Sequence, residues 1–300
     1  WPRDFLFFGI DPMPSRPPLV NVSVSAWLAL THGDFAHYQL FLTMWGSLVF
    51  APAALLACRF GGNTATLGVL AVLLMLHPLF LHNVTYSWTK IPTAFFILAA
   101  LYFFLRAHDS DARPVHACLF SVALAAAVLA HYSAGPYAVV LAVAWCALGW
   151  NRRADPARWR LTGAAALAGG LVLVTWFGWA FAVYGAHGTL ATNTSVVDQA
   201  ATVGEQLQRI ALNLRDTLVP PFLRSADFSV FAQRSVWGAW RDWFFLLYQR
   251  NLFFAVGSVG AIVVLIALMQ RARAATPRDR RFWLWFIIAT VVVGVGVHGS

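Results

Sequence analysis

Eight apolar stretches, each near the length a helix needs to cross a bilayer, take up most of the chain. They run roughly 35–58, 64–83, 89–106, 114–131, 134–150, 160–184, 251–270 and 281–299. Pro52, Pro78 and Pro92 fall inside them. Membrane helices tolerate such residues because neighbouring helices satisfy the freed backbone groups. Of the 300 residues 60% are hydrophobic and 11% charged. A soluble domain is nearer one quarter charged. The expected fold is therefore all-α: a polytopic transmembrane helix bundle of about eight spans, with interfacial helices on the outer face. One domain covers 1–300, with an outer loop at 1–33, six spans over 34–184, an outer loop with short helices at 185–250, and two spans over 251–300.

Arginine sets the orientation. Arg59 lies in one connection, Arg106 and Arg113 in a second, Arg152, Arg153, Arg158 and Arg160 in a third, and Arg271, Arg273, Arg278, Arg280 and Arg281 in a fourth. These are alternate connections, and short basic connections face the cytoplasm. The same clustering explains the net charge of +9 without nucleic acid, which is not expected as a partner. The opposite face, periplasmic or extracellular, receives 1–33, the Asn83–Trp88 turn, the His131–Gly135 turn and 185–250.

That outer face is not plain filler. Residues 20–30 are apolar on one side and too short to span, so they read as a helix lying in the interface. Residues 203–218 carry Leu207, Ile210, Leu214 and Leu218 on one helical stripe, closed by Pro220-Pro221. Trp237, Trp240, Trp243 and Tyr248 then suit an aromatic belt at re-entry. The three cysteines match no zinc spacing and read as small packing residues. No Gly-rich phosphate loop, HExxH or G-x-S-x-G is present, which removes support for ATPase, metalloprotease and hydrolase chemistry. No metal and no cofactor is assigned.

A few polar residues at the outer ends of spans stand out. Lys90 is the sole lysine and opens the third span in Tyr86-Ser87-Trp88-Thr89-Lys90. It reads as a cation meeting a lipid phosphate or as an interface lysine that snorkels. His131 closes the fourth span, followed by Tyr132. It reads as a phosphate donor or proton carrier, or as a histidine capping a helix C-terminus. Arg16 precedes Pro17-Pro18, a stiff setting that suits guanidinium recognition of phosphate; a solvated loop arginine is the other reading. Asp4 and Asp11 lie before the first span, as loop acids or as a base for an acceptor hydroxyl. His77 and His82 read as packing or interhelical hydrogen-bonding residues.

Taken in order, Arg16-Pro17-Pro18-Leu19 with Gly33-Asp34, the run from His77-Pro78 to Lys90, and Ala130-His131-Tyr132-Ser133 resemble the successive outer loops of the GT-C glycosyltransferases. Asn193-Thr194, opening a long outer segment, continues the pattern. The likeness is to the bacterial branch related to protein O-mannosyltransferases and the lipid A aminoarabinose transferase. It implies an inverting sugar transfer from a polyprenyl-phosphate donor to a hydroxyl on the outer face of the inner membrane. The acceptor would be a lipid, glycan or protein. It also implies that Arg16 and His131 contact the donor phosphate. Lys90 joins them by position, and Tyr86 and Tyr132 line the donor and acceptor pocket. The family's main catalytic acid follows a first span. This chain opens at Trp1 without a methionine, so it is expected to be a piece lacking that acid, with Asp11 the stand-in candidate. A transporter or flippase of a lipid-linked precursor is the competing function. Such proteins carry polar residues near mid-span, and these spans have little beyond His77.

Overall fold

The computed structural model describes residues 6–7, 11–12, 17–76, 78–85, 89–109, 111–150 and 155–190. It also describes short helical pieces at 204–205, 207–208, 211–212 and 284–289. The chain divides into two compact units, Trp1–Leu74 with Asn83–Ala200, and Met75–His82 with Ala201–Ser300. The architecture is helical, as the apolar runs require. Among the described residues the exception is a pair of two-residue antiparallel strands, β1 (Leu6–Phe7) and β2 (Asp11–Pro12), which pair Phe7 with Asp11.

In the first unit α1 spans Leu19–Thr31, close to the interfacial helix expected at 20–30. Val20 and Val24, four residues apart, are its buried positions, with Leu19, Ser23, Trp27 and Leu28 half-buried beside them, so one stripe faces protein and the opposite side stays open. In an apolar setting its hydroxyls have few outside partners. Ser23 donates to the Leu19 carbonyl at 2.7 Å and Thr31 to the Trp27 carbonyl at 2.9 Å. His32 ends the helix at φ 51°, and Gly33 follows. A Cβ at Gly33 would lie 2.7 Å from the His37 Cβ, so only glycine fits this close turn. Asp34 then caps α2 (Phe35–Ser47), accepting from the Ala36 and His37 amides at 3.0 and 3.2 Å. A turn at Leu48–Val49 leads into α3 (Phe50–Arg59).

Within the stretch 64–83 the structure describes α4 (Thr64–Leu76) and α5 (Pro78–Thr85), and residue 77 between them lies outside the described residues. Next come α6 (Lys90–Arg106), α7 (Pro114–Ala130), a 3-10 turn at Tyr132–Ala134, α8 (Gly135–Trp150) and α9 (Pro156–Leu190). Gly185 has φ 71° and ψ 177°, so the continuous part of α9 stops at Tyr184, where the sequence places the end of a span.

Among the described residues three helical segments are long and apolar enough to cross a membrane: Phe35–Arg59, Tyr132–Gly149 and Pro156–Thr189. They coincide with three of the eight apolar stretches. The stretch at 251–270 lies outside the described residues, as do most of 281–299 and most of 203–218. The described parts of the latter two, 284–289 and the pieces between 204 and 212, are helical.

The centre of the first unit is α7. Ala117, Ala123, Ala125, Ala126, Ala127 and Ala130 are buried there, with Phe120 and Leu129. Small side chains let backbones approach, which is how helices gain dispersion contact where lipid is as apolar as protein. α7 packs along both α6 and α9. Opposite Ser121, α9 carries Gly169, where a Cβ would lie 2.9 Å from the Ser121 carbonyl oxygen.

Candidate functional site

Polar groups of the first unit gather at two ends of the helices, and the two ends differ in kind. At one, the arginine-bearing connections meet. Arg59, closing α3, donates to both carboxylate oxygens of Asp109, at 2.8 and 2.5 Å. Arg106, closing α6, reaches Asp109 at 2.9 Å and Asp111 at 3.1 Å. The hydrogen bonds from Arg59 above all hold the Asp109 carboxyl below the usual carboxylate range. Close by in sequence, Arg158 in the first turn of α9 donates to His108 Nε2 at 3.0 Å. Its guanidinium carbon lies 4.4 Å from the centre of the Trp145 ring on α8. His108 Nδ1 bonds the Phe104 carbonyl at 2.7 Å. A carbonyl only accepts, so Nδ1 bears the proton and Nε2 is free to accept from Arg158. Three connections that sequence reasoning placed on one side of the membrane therefore share one end of the bundle. Arg59 and Arg106 are neutralised there by Asp109 and Asp111, and Arg158 is held by His108 and the Trp145 ring, which makes these contacts structural.

The other end carries the residues singled out as chemical. α6 and α7 form an antiparallel hairpin joined by residues 107–113, so the start of α6, at Lys90, lies at the same end as the close of α7, at Ala130. The first turns of α1 are seated there. Val20, Val24, Leu42 and Ala130 form one buried cluster, with Leu19, Tyr38, Phe41, Trp45 and Phe96 packed on it. An aromatic ladder ties the same elements together. Trp27 stacks on Phe41 at 5.0 Å, Phe41 meets Trp45 at 5.7 Å, and Trp45 meets Phe96 of α6 at 6.3 Å.

His131 follows Ala130 directly, in extended backbone between α7 and the 3-10 turn. Its Nδ1 accepts from the Ser133 amide at 3.1 Å and lies 2.8 Å from the Ser133 hydroxyl. The ring stacks on Tyr132, with centroids 4.3 Å apart. Lys90 is exposed in the first turn of α6. Thr89 at the cap position makes no side-chain cap, and Pro92 has no N–H to offer. This helix start therefore combines positive partial charge with a lysine and no capping oxygen from Thr89. At the α1–α2 turn, Asp34 has its carboxyl held below the usual range, first by hydrogen bonding to His37.

Of the six residues proposed from sequence, Lys90, His131 and Tyr132 thus fall at one end of one helix hairpin. Asp11 pairs through its backbone with Phe7, and its side chain lies outside what is described. Arg16 and Tyr86 lie outside the described residues; Arg16 stands three positions before Leu19, which packs on the cluster. Sequence reasoning missed Ser133. A serine two residues after a helix-closing histidine is a local turn signal, and reading it as one would have flagged the pair. Among the described residues no group of three or more His, Cys, Asp or Glu is placed to hold a metal ion.

Comparison with known proteins agrees with this reading. The family model for dolichyl-phosphate-mannose-protein mannosyltransferase matches residues 16–191, more than half of the chain. The matched region opens at Arg16 and contains Lys90, His131 and every helix from α1 to α9. No curated protein and no solved structure matches the chain significantly. The chain belongs to the dolichyl-phosphate-mannose-protein mannosyltransferase family of GT-C glycosyltransferases, and is an integral membrane glycosyltransferase that uses a polyprenyl-phosphate-linked sugar.

Proposed function

We propose that this protein transfers the sugar to a hydroxyl of a lipid, glycan or protein, with inversion, on the periplasmic face of a bacterial inner membrane. In that reaction an acceptor oxygen attacks the anomeric carbon from the side opposite the phosphate. The bond from that carbon to the phosphate oxygen breaks, and polyprenyl phosphate leaves with the electron pair. A carboxylate takes the hydroxyl proton, and Asp11 is the candidate in this chain. Cations and N–H donors near the phosphate lower the barrier, because negative charge develops there as the bond breaks. Arg16, Lys90 and His131 take that role, with Tyr86 and Tyr132 lining the pocket.

The observation that carries this reading is the seating of α1 on Ala130. It sets the start of α1, which follows Arg16, beside the residue preceding His131, at the hairpin end where α6 begins with Lys90. The arginine connections gather at the other end, as the positive-inside rule requires if the site faces outward.

The test is transfer from a polyprenyl-phosphate sugar by full-length protein in membranes. Lys90→Ala and Arg16→Ala should each lower kcat/KM for the donor by roughly a hundredfold, the size expected for losing one strong contact to developing charge. Thermal stability in detergent should be unchanged. Wild-type transfer by both variants would remove the phosphate-site assignment. Labelling acceptors from each side of sealed vesicles tests the face, and the anomeric configuration of the product tests inversion.

A further inference from the structure

We infer that Ser133 is a positioning residue for sugar transfer, holding His131 with its proton on Nε2 so that the ring offers an N–H donor while uncharged. This rests on the reading that His131 contacts the donor phosphate.

The two groups beside the ring differ in whether they can reverse their role. The Ser133 amide approaches His131 Nδ1 at 3.1 Å, and an amide N–H can only donate. The Ser133 hydroxyl, 2.8 Å from the same nitrogen, can turn either way. Only a bare Nδ1 suits both neighbours. A neutral imidazole with a bare Nδ1 carries its proton on Nε2.

His37 supplies the contrast within this chain. Its Nδ1 lies 2.8 Å from a carboxylate oxygen of Asp34, which only accepts when ionised, and 3.3 Å from the Asp34 amide, which only donates, so its neighbours do not agree on one form. His108 is fixed with its proton on Nδ1 by the Phe104 carbonyl at 2.7 Å. At His131 both described partners of Nδ1 can donate to it. Its ring is also confined on one face by Tyr132. The 3-10 turn that presents Ser133 begins directly after His131, so the histidine caps the turn and the turn sets the histidine.

This arrangement has a chemical use. A neutral N–H donor can bind a phosphate diester and strengthen as charge grows on it. It then has no proton to surrender to the departing polyprenyl phosphate, as an imidazolium would.

The experiment compares Ser133→Ala, Ser133→Thr and His131→Ala with wild type in full-length protein. Each is assayed for donor kcat and KM and for thermal stability. Histidine is 15N-labelled, and the His131 ring signals are assigned by their loss in His131→Ala. Wild type should show the Nε2–H form at His131. Ser133→Ala keeps the amide donor and loses only the hydroxyl, so it should retain the Nε2–H form with a shifted Nδ1 signal and show a kcat/KM lowered roughly three- to tenfold, since one of two hydrogen bonds to the ring is gone. Ser133→Thr, which keeps the hydroxyl, should restore both. A wild-type ring signal and wild-type kinetics in Ser133→Ala, with His131→Ala impaired, would overturn the role of Ser133 and leave the phosphate reading standing. Wild-type kinetics in a stably folded His131→Ala would overturn both, while the ring signals still report whether the Ser133 hydroxyl bonds the ring. An Nδ1–H ring in wild type overturns the inference outright.

Discussion

Arg59 and Asp109 are fifty residues apart in the chain and share two hydrogen bonds, both oxygens of the carboxylate facing the guanidinium fork. The pair joins the end of α3 to the connection after α6, and each side chain is about three-quarters hidden from solvent, at 26% and 21% exposed. Planar two-point pairing of this kind is stronger than an ordinary surface ion pair.

Asp109→Asn should therefore lower stability in detergent by about 1–2 kcal/mol, and Arg59→Ala by a similar amount. The double variant should lose less than the sum, because both remove the same interaction. The pH dependence has a definite sign. Asp109 titrates below the usual carboxylate value when folded. Its stabilisation is thus fully present above that usual value and is lost as the pH falls through the folded one. Melting temperature should drop on acidification from about pH 5 toward pH 3, and the drop should be smaller in Asp109→Asn.

Gly169→Leu should separate α7 from α9. The first added carbon already meets the Ser121 carbonyl oxygen at 2.9 Å, and that backbone cannot move aside. The expected cost is about 3 kcal/mol or failure to fold. Gly163→Ala, on the same helix with open space at its Cβ, should be neutral or stabilising by up to about 1 kcal/mol. Expression level and melting temperature of the two variants decide this directly.

Arg158→Lys should not be conservative. Lysine keeps the charge but has no planar fork to bond His108 and lie over Trp145 together. A loss of roughly 1–2 kcal/mol is expected in thermal unfolding, with Trp145 fluorescence altered. Lysine matching arginine in both measurements would show that charge alone suffices at this position.

Asp34→Ala should loosen the start of α2, since the carboxylate holds the Ala36 and His37 amides. Hydrogen exchange at those two amides should accelerate, and Asp34→Asn should largely preserve protection because asparagine is an equally good cap. The Asp34 carboxyl titrates below its usual value when folded. The protection therefore holds above the usual carboxylate range and fades as the pH falls through the lowered one.

Much of this was legible in the amino-acid order, for identifiable reasons. Apolar length alone marks Phe35–Arg59, Tyr132–Gly149 and Pro156–Thr189, because bilayer thickness sets helix length. Arginine placement foretold that Arg59, Arg106 and Arg158 belong to one end, because topology depends on basic connections. Hydropathy could not show the turn at Leu48–Val49 that separates α2 from α3, since a window average does not register a local change of backbone. Nor could it show which acid neutralises which base, or that Ala130 supports α1. Those depend on contacts between residues far apart in sequence. At the site, Lys90 and His131 were legible as unusual residue types at span ends. Ser133 was not, because an isolated serine near a turn is commonplace, and its meaning lies in a distance to one ring nitrogen.

Gly185 carries a last consequence. Its φ of 71° is one that a residue with a side chain rarely adopts, and the backbone there leaves the helical path. Before it, α9 packs on α7, with Gly169 against Ser121. The family match ends at 191, shortly past this glycine. Gly185 therefore works as a change of heading in the chain: the turns before it follow the axis of α9, and the turn after it, which buries Thr189, sets off on another course. Chimeras that exchange the segment after 190 should be grafted beyond this residue, keeping the glycine itself.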